Sequence, residues 1–257
     1  MEDKLINAVR MKEEEGVRKI LEEDKDINVN SKDDGGWTAL HWACTNNYDR
    51  IVAMLLAHPD IDVNQKTHSR ITPFWLACRK GNTLCVRSLL KDERVLVNEP
   101  SNYRYTSLYW AAYFGYLETI KWLIASGREV NLGEPGDEHS DAIGGAEANE
   151  KPEVVSLLEK FRDHQTQTRH EIRIELGWFN EKAAELFSMV IFLCDGLMEL
   201  KDRNLSGKKE IRFFNIARKL PMEIQMVLCH RVAGSMVMNI PVAQRELGFK
   251  NLVKELS

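Results

Sequence analysis

Apolar residues recur at helical spacing in five short stretches of the chain: VRKILEE from Val17, IVAMLLA from Ile51, VRSLLKD from Val86, IKWLIAS from Ile120 and VVSLLEK from Val154. Residues three and four apart share one face of a helix, so each stretch predicts an amphipathic helix with one side buried. Ahead of the middle three stand TALHWA from Thr38, TPFWLA from Thr72 and TSLYWA from Thr106, spaced 34 and 34 residues apart. A second marker keeps that period, because the Val-Asn pairs beginning at Val29, Val63, Val97 and Val130 fall 34, 34 and 33 residues apart. Two independent markers with one period define a repeat, and each repeat holds two helices.

The residue types at the repeated positions suit that arrangement. Thr38, Thr72 and Thr106 can cap helix N-termini, and Ala43, Ala77 and Ala111 let neighbouring helices approach closely. Gly81 and Gly115 suit a left-handed turn after the first helix, with Asn47 as the next best choice in the preceding copy. Degenerate copies flank the three clear ones, LINAVRMKEEEGVRKILEE near the N-terminus and AIGGAEANEKPEVVSLLEK after Asp141, which makes five repeats. Terminal copies cap a stack and so differ from the rest. The Pro and Gly of GEPGDEHSD, residues 133–141, predict a longer loop before the last repeat.

The threonine-led helix start, the glycine between helices and the terminal Val-Asn resemble the ankyrin-repeat family. The resemblance implies an all-α solenoid of about five helix-turn-helix repeats over residues 1–163; the apolar stripes beyond it are read as a small helical bundle over residues 164–257. It also implies a non-enzymatic scaffold or adaptor that binds a partner protein on its concave and finger surface. Mapped onto this chain, the family's usual contact positions are Trp37, His68, Ile71, Tyr103 and Tyr105 on the fingers, and Thr45, Asn46, Arg79, Lys80, Tyr113 and Phe114 on the first helices. Trp37, Tyr103, Tyr105, Tyr113 and Phe114 are expected to form an aromatic contact patch beside Arg79 and Lys80, weighed against the reading that these rings merely pack on one another. Trp42, Trp75, Trp110 and Trp122 are expected in the core. His41 is expected to bond backbone between repeats, as the family's Thr-x-Leu-His position implies.

Beyond Leu158 the repeat pattern stops. FRDHQTQTRHE, residues 161–171, is expected to extend the array helically, and the remaining apolar stripes predict three or four helices. The run Leu220-Pro221-Met222-Glu223-Ile224, with Leu228 four residues on, is similar to the opening of an F-box of poxvirus type. That similarity implies an alternative role, the substrate adaptor of a cullin-RING ubiquitin ligase. The ending also resembles that of uncharacterised fungal and protist ankyrin proteins.

Charge and composition narrow the partner class. The formal net charge of -4, with both signs interspersed, offers no basic stripe for nucleic acid or an anionic membrane. The N-terminus is charged from its second residue and the longest apolar run is far below the roughly 20 residues that cross a bilayer. A cytoplasmic or nuclear monomer is therefore expected. The five cysteines have no zinc-ligand spacing and read as free thiols, so neither metal nor cofactor is expected. No phosphate loop, zinc-protease helix or nucleophile elbow occurs, which argues against an enzyme. Finally, Leu56, Asp62, Val63 and Asn64 match the pattern read by the asparaginyl hydroxylase of ankyrin repeats, which marks Asn64 as a candidate modification site. The competing reading is that such asparagines simply tie the turn.

Overall fold

A computed structural model of the chain describes residues 4–24 and 27–178, together with Gln225 and Cys229. Among the described residues, helices come in consecutive pairs: α1 (Lys4–Arg10) with α2 (Glu14–Glu23), α3 (Ala39–Thr45) with α4 (Asp49–Leu56), α5 (Pro73–Lys80) with α6 (Thr83–Lys91), α7 (Ser107–Phe114) with α8 (Leu117–Ala125), and α9 (Ala142–Ala148) with α10 (Pro152–Asp163). A further helix, α11 (Gln165–Glu175), follows. The first helices α1, α3, α5, α7 and α9 pack in that order into one layer, and α2, α4, α6 and α8 form a second behind it. Five stacked pairs make an all-α solenoid.

Each repeat starts as its chemistry requires. The side chains of Thr38, Thr72 and Thr106 accept the backbone N–H three residues on, and Asp141 does the same at α9. Such a cap satisfies an N–H that the helix itself leaves unpaired. At the far end, Gly81 and Gly115 adopt φ of 66° and 77°, and Asn47 takes φ 58° in the equivalent turn. These left-handed residues let α6 and α8 fold back on α5 and α7. Between repeats the chain makes a tight finger, closed by Asp33 N–H to Trp37 O (2.9 Å), Thr67 to Ile71 (3.0 Å) and Ser101 to Tyr105 (3.0 Å).

The core lies between the helix layers. Ala43, Ala77 and Ala111 are buried, so adjacent first helices come close, while Leu40, Phe74, Ile51, Leu55, Leu89, Ile120 and Ile124 fill the space behind. Full burial of one such large side chain contributes about 1.5–3 kcal/mol. Cys44, Cys78, Cys85 and Cys229 are free and buried. Burial pushes the thiols of Cys44 and Cys78 well up and that of Cys85 to about 12, so none is a ready thiolate. Cys194 lies outside the described residues.

Asparagines stitch the repeats together. Asn64 Nδ2 donates to Arg94 O (2.7 Å) and its Oδ1 accepts from Leu96 N (2.8 Å), a pairing that Asn30 makes with Asp60 and Asp62 and Asn98 with Glu129 and Asn131.

The chain divides into two compact units, residues 1–172 and 173–257. The first runs past residue 163 because α11 is tied to the array: Arg169 Nε donates to Ile124 O (3.0 Å), its Nη2 to Arg128 O (3.3 Å), and Thr168 Oγ1 to Lys160 O (3.0 Å). The guanidinium thus meets the Ile124 carbonyl at the C-terminal end of α8, where a cation is favoured, and the Arg128 carbonyl just beyond it. Apart from Gln225, the F-box-like stretch at residues 220–228 lies outside the described residues, as does the expected helical bundle beyond residue 178.

Candidate partner-binding face

The inner face of the array is built from three positions in each first helix, counted as four, seven and eight residues after the capping threonine. They share a helix face. In the second repeat these are Trp42, Thr45 and Asn46; in the third Leu76, Arg79 and Lys80; in the fourth Trp110, Tyr113 and Phe114.

The fourth repeat carries a dense ring cluster. Trp110 lies 4.9 Å from Tyr105, 5.4 Å from Tyr113 and 5.6 Å from Phe114 between centroids, the last pair stacked. Trp75 meets Trp110 edge-on at 6.1 Å, and the Arg79 guanidinium lies over both indoles, 5.4 Å from Trp75 and 5.0 Å from Trp110. Such rings attract a cation through their negative faces. Tyr105 also packs on His139 of the longer loop, at 4.8 Å.

Of the five aromatic residues grouped from sequence, Tyr105, Tyr113 and Phe114 come together, with Trp110 between them. Trp37 sits elsewhere, against Trp42 (4.9 Å) and His41 (6.0 Å) in the second repeat. Tyr103 stands on a finger, 71% exposed. Phe114 is 41% exposed, a large apolar surface for a helix face. Asn46, His68 and Lys80 are exposed, and Trp37, Thr45, Ile71, Arg79, Tyr105 and Tyr113 are half-buried. Asn64 is half-buried with both ends of its amide engaged as above.

The tryptophans divide. Trp75 and Trp122 are buried as expected, but Trp42 and Trp110 are only half-buried and line the inner face, which corrects their assignment to the core. Their place four residues after the capping threonine, one turn before the contact positions, signals this only in part, since Leu76 at the same place is buried. Arg10 is not among the expected contacts, because the first copy lacks the threonine-led start from which those positions are counted. Its guanidinium lies 4.9 Å over Trp42, beside a cleft of about 750 Å³ lined by Lys4, Asn7, Arg10, Lys32, Asp33 and Trp42. Burial alone would raise the Asp33 carboxyl, but the N–H groups of Trp37, Trp42 and Gly35, with Arg10 nearby, outweigh it and hold the group below its ordinary value.

Buried His41 works within the stack. Its Nε2–H donates to Ile71 O (3.0 Å), while Nδ1 accepts from Thr38 N (3.1 Å) and Thr38 Oγ1 (2.8 Å). Trp75 occupies the same repeat position in the third copy, and its indole N–H donates to Tyr105 O (2.9 Å). Among the described residues no cluster of His, Cys, Asp or Glu is placed to hold a metal ion, and no helix is long and apolar enough to cross a membrane.

Stacked helical pairs with an open, ring-lined inner face define a repeat solenoid of the protein-interaction class. The sequence model of ankyrin repeats (3 copies) matches residues 3–67 and 60–133, and the chain belongs to the ankyrin-repeat family. No curated protein matches the chain.

Proposed function

We propose that this ankyrin array is a non-enzymatic scaffold or adaptor that holds a partner protein across the inner faces of its third and fourth repeats. The observation that carries the reading is the ring cluster around Trp110, which leaves Phe114 41% exposed where stacking makes no demand for an aromatic residue. Aromatic anchors beside an arginine are the residues that dominate protein interfaces. On this reading Arg79, Lys80, Tyr105 and Tyr113 join the contact, with Thr45, Asn46, His68, Ile71, Trp37 and Tyr103 as its margin.

A pull-down from the source cell tests the assignment. Tyr113→Ala/Phe114→Ala should lose specific partners by about tenfold or more, as expected when hot-spot side chains worth ~2 kcal/mol are removed. Unchanged capture by this variant overturns the reading. The ligase-adaptor alternative makes a different forecast: Leu220→Ala/Leu228→Ala would lose cullin-RING components while the inner-face variant kept them.

A further inference from the structure

We infer that the inner face of the third and fourth repeats, at Arg79 and Trp110, recognises a carboxylate of the partner, an Asp or Glu side chain in an acidic segment laid along that face. The inference rests on the partner-binding reading above and adds the partner's chemistry.

Two arginines of the first helices, Arg10 and Arg79, lie over indoles of the inner face, and one of these shelves shows what the other lacks. In the second repeat Arg10 covers Trp42 at 4.9 Å, and the Trp42 indole N–H donates to Asp33 Oδ2 at 2.9 Å. The other Asp33 oxygen accepts from Trp37 N (2.9 Å) and Gly35 N (3.0 Å). That shelf is completed by a carboxylate from its own finger. In the fourth repeat Arg79 covers Trp110 at 5.0 Å, but the place of Asp33, nine residues before the indole, is taken by Ser101. The finger itself is unchanged, since Ser101 N–H bonds Tyr105 O just as Asp33 N–H bonds Trp37 O. Only the carboxylate is gone, and a serine is too short to replace it.

The consequence appears in the hydrogen bonding. Arg79 Nε, Trp110 Nε1 and Ser101 Oγ are all buried without a hydrogen-bond partner among the described residues. Two of the three can only donate. Arg79 pairs with no carboxylate among the described residues; the residue is half-buried, and its guanidinium lies over two indole rings. A guanidinium held in this way keeps its terminal nitrogens for a carboxylate, which matches their fork. The surroundings favour an acid. The inner positions of the first four repeats carry Arg10, Arg79 and Lys80 and no carboxylate, although the whole chain is formally -4. Phe114 gives the same segment an apolar contact one turn along.

An array of short synthetic peptides, including Asp or Glu series, their Asn and Gln counterparts and peptides tiled over residues 179–257, tests this with the full-length chain. Retention should require Asp or Glu at one position, weaken about tenfold or more on change to Asn or Gln, and weaken with added salt. Arg79→Gln should lose the acidic peptides. Ser101→Asp, which restores the carboxylate Asp33 provides in the second repeat, should also lose them while raising the melting temperature. Retention indifferent to charge, unchanged binding by Ser101→Asp, preference for this chain's own tiled peptides, or no retention at all overturns the inference. If peptides bind without acid preference and Tyr113→Ala alone releases them, the inner-face reading survives and the acid inference fails. If no inner-face variant alters capture, both fail.

Discussion

At the scale of single residues, one repeat position accepts several chemistries because only its reach is demanded. His41 and Trp75 follow their capping threonines by three residues, and each donates a ring N–H to a backbone carbonyl of the next finger. The histidine carries a pH dependence with it. Burial lowers its pKa from 6.5 to about 4, and a second proton would sit on Nδ1, facing the Thr38 N–H. The folded state therefore keeps His41 neutral, whereas the unfolded chain binds a proton below about 6.5. Stability is lost as pH falls from about 6.5 to about 4, by about 3 kcal/mol at most from this group. Urea titrations of the wild type and His41→Asn across that window should show the acid loss in the wild type and a smaller one in the variant. Equal slopes would remove His41 as the cause. His41 was legible in sequence because the repeat motif assigns it. Trp42 and Trp110 were not, because periodicity identifies a helix face without saying whether another layer covers it.

Elements here are short, and their ends matter more than their propensities. The turn from α5 to α6 needs both a left-handed residue and empty space: Gly81 has φ 66°, and a Cβ there would lie 2.6 Å from the Tyr116 ring. Gly136 has φ 80° with nothing within 4 Å of a built Cβ. Gly136→Ala is therefore expected to cost about 1 kcal/mol from backbone strain alone, and Gly81→Ala about 2 kcal/mol or more because the third and fourth repeats are also forced apart. Chemical denaturation of the two variants separates strain from clash, and equal costs would show that Tyr116 yields freely. The asparagine ties act at the same scale. With the Asn64 amide engaged at both ends, modification there must compete with the turn, and mass spectrometry of the native protein for an added oxygen on Asn64 decides it.

The whole molecule is quasi-one-dimensional, since each repeat leans only on its neighbours and stability spreads along the stack. Middle repeats have two neighbours and end repeats one. Hydrogen exchange should thus be slowest in α5 and α7 and fastest in α1 and α2, where Val17 is the one buried residue of the second helix. Equal protection throughout would mean that the array opens as a single unit. At the other end, Arg169 and Thr168 tie α11 to the last repeats, so protection there should extend past residue 163.

What the residue order determined by itself is the repeat: its period, its two helices, the capping threonines and the left-handed turns. These are local demands, met within a few residues of chain and repeated often enough to be read. The inner face was decided only by tertiary structure. Whether Trp110 is core or surface, whether Trp37 joins Tyr105, and whether Arg79 covers Trp110 all depend on residues from different repeats being brought side by side. The stack creates those distances, and no spacing along the chain encodes them.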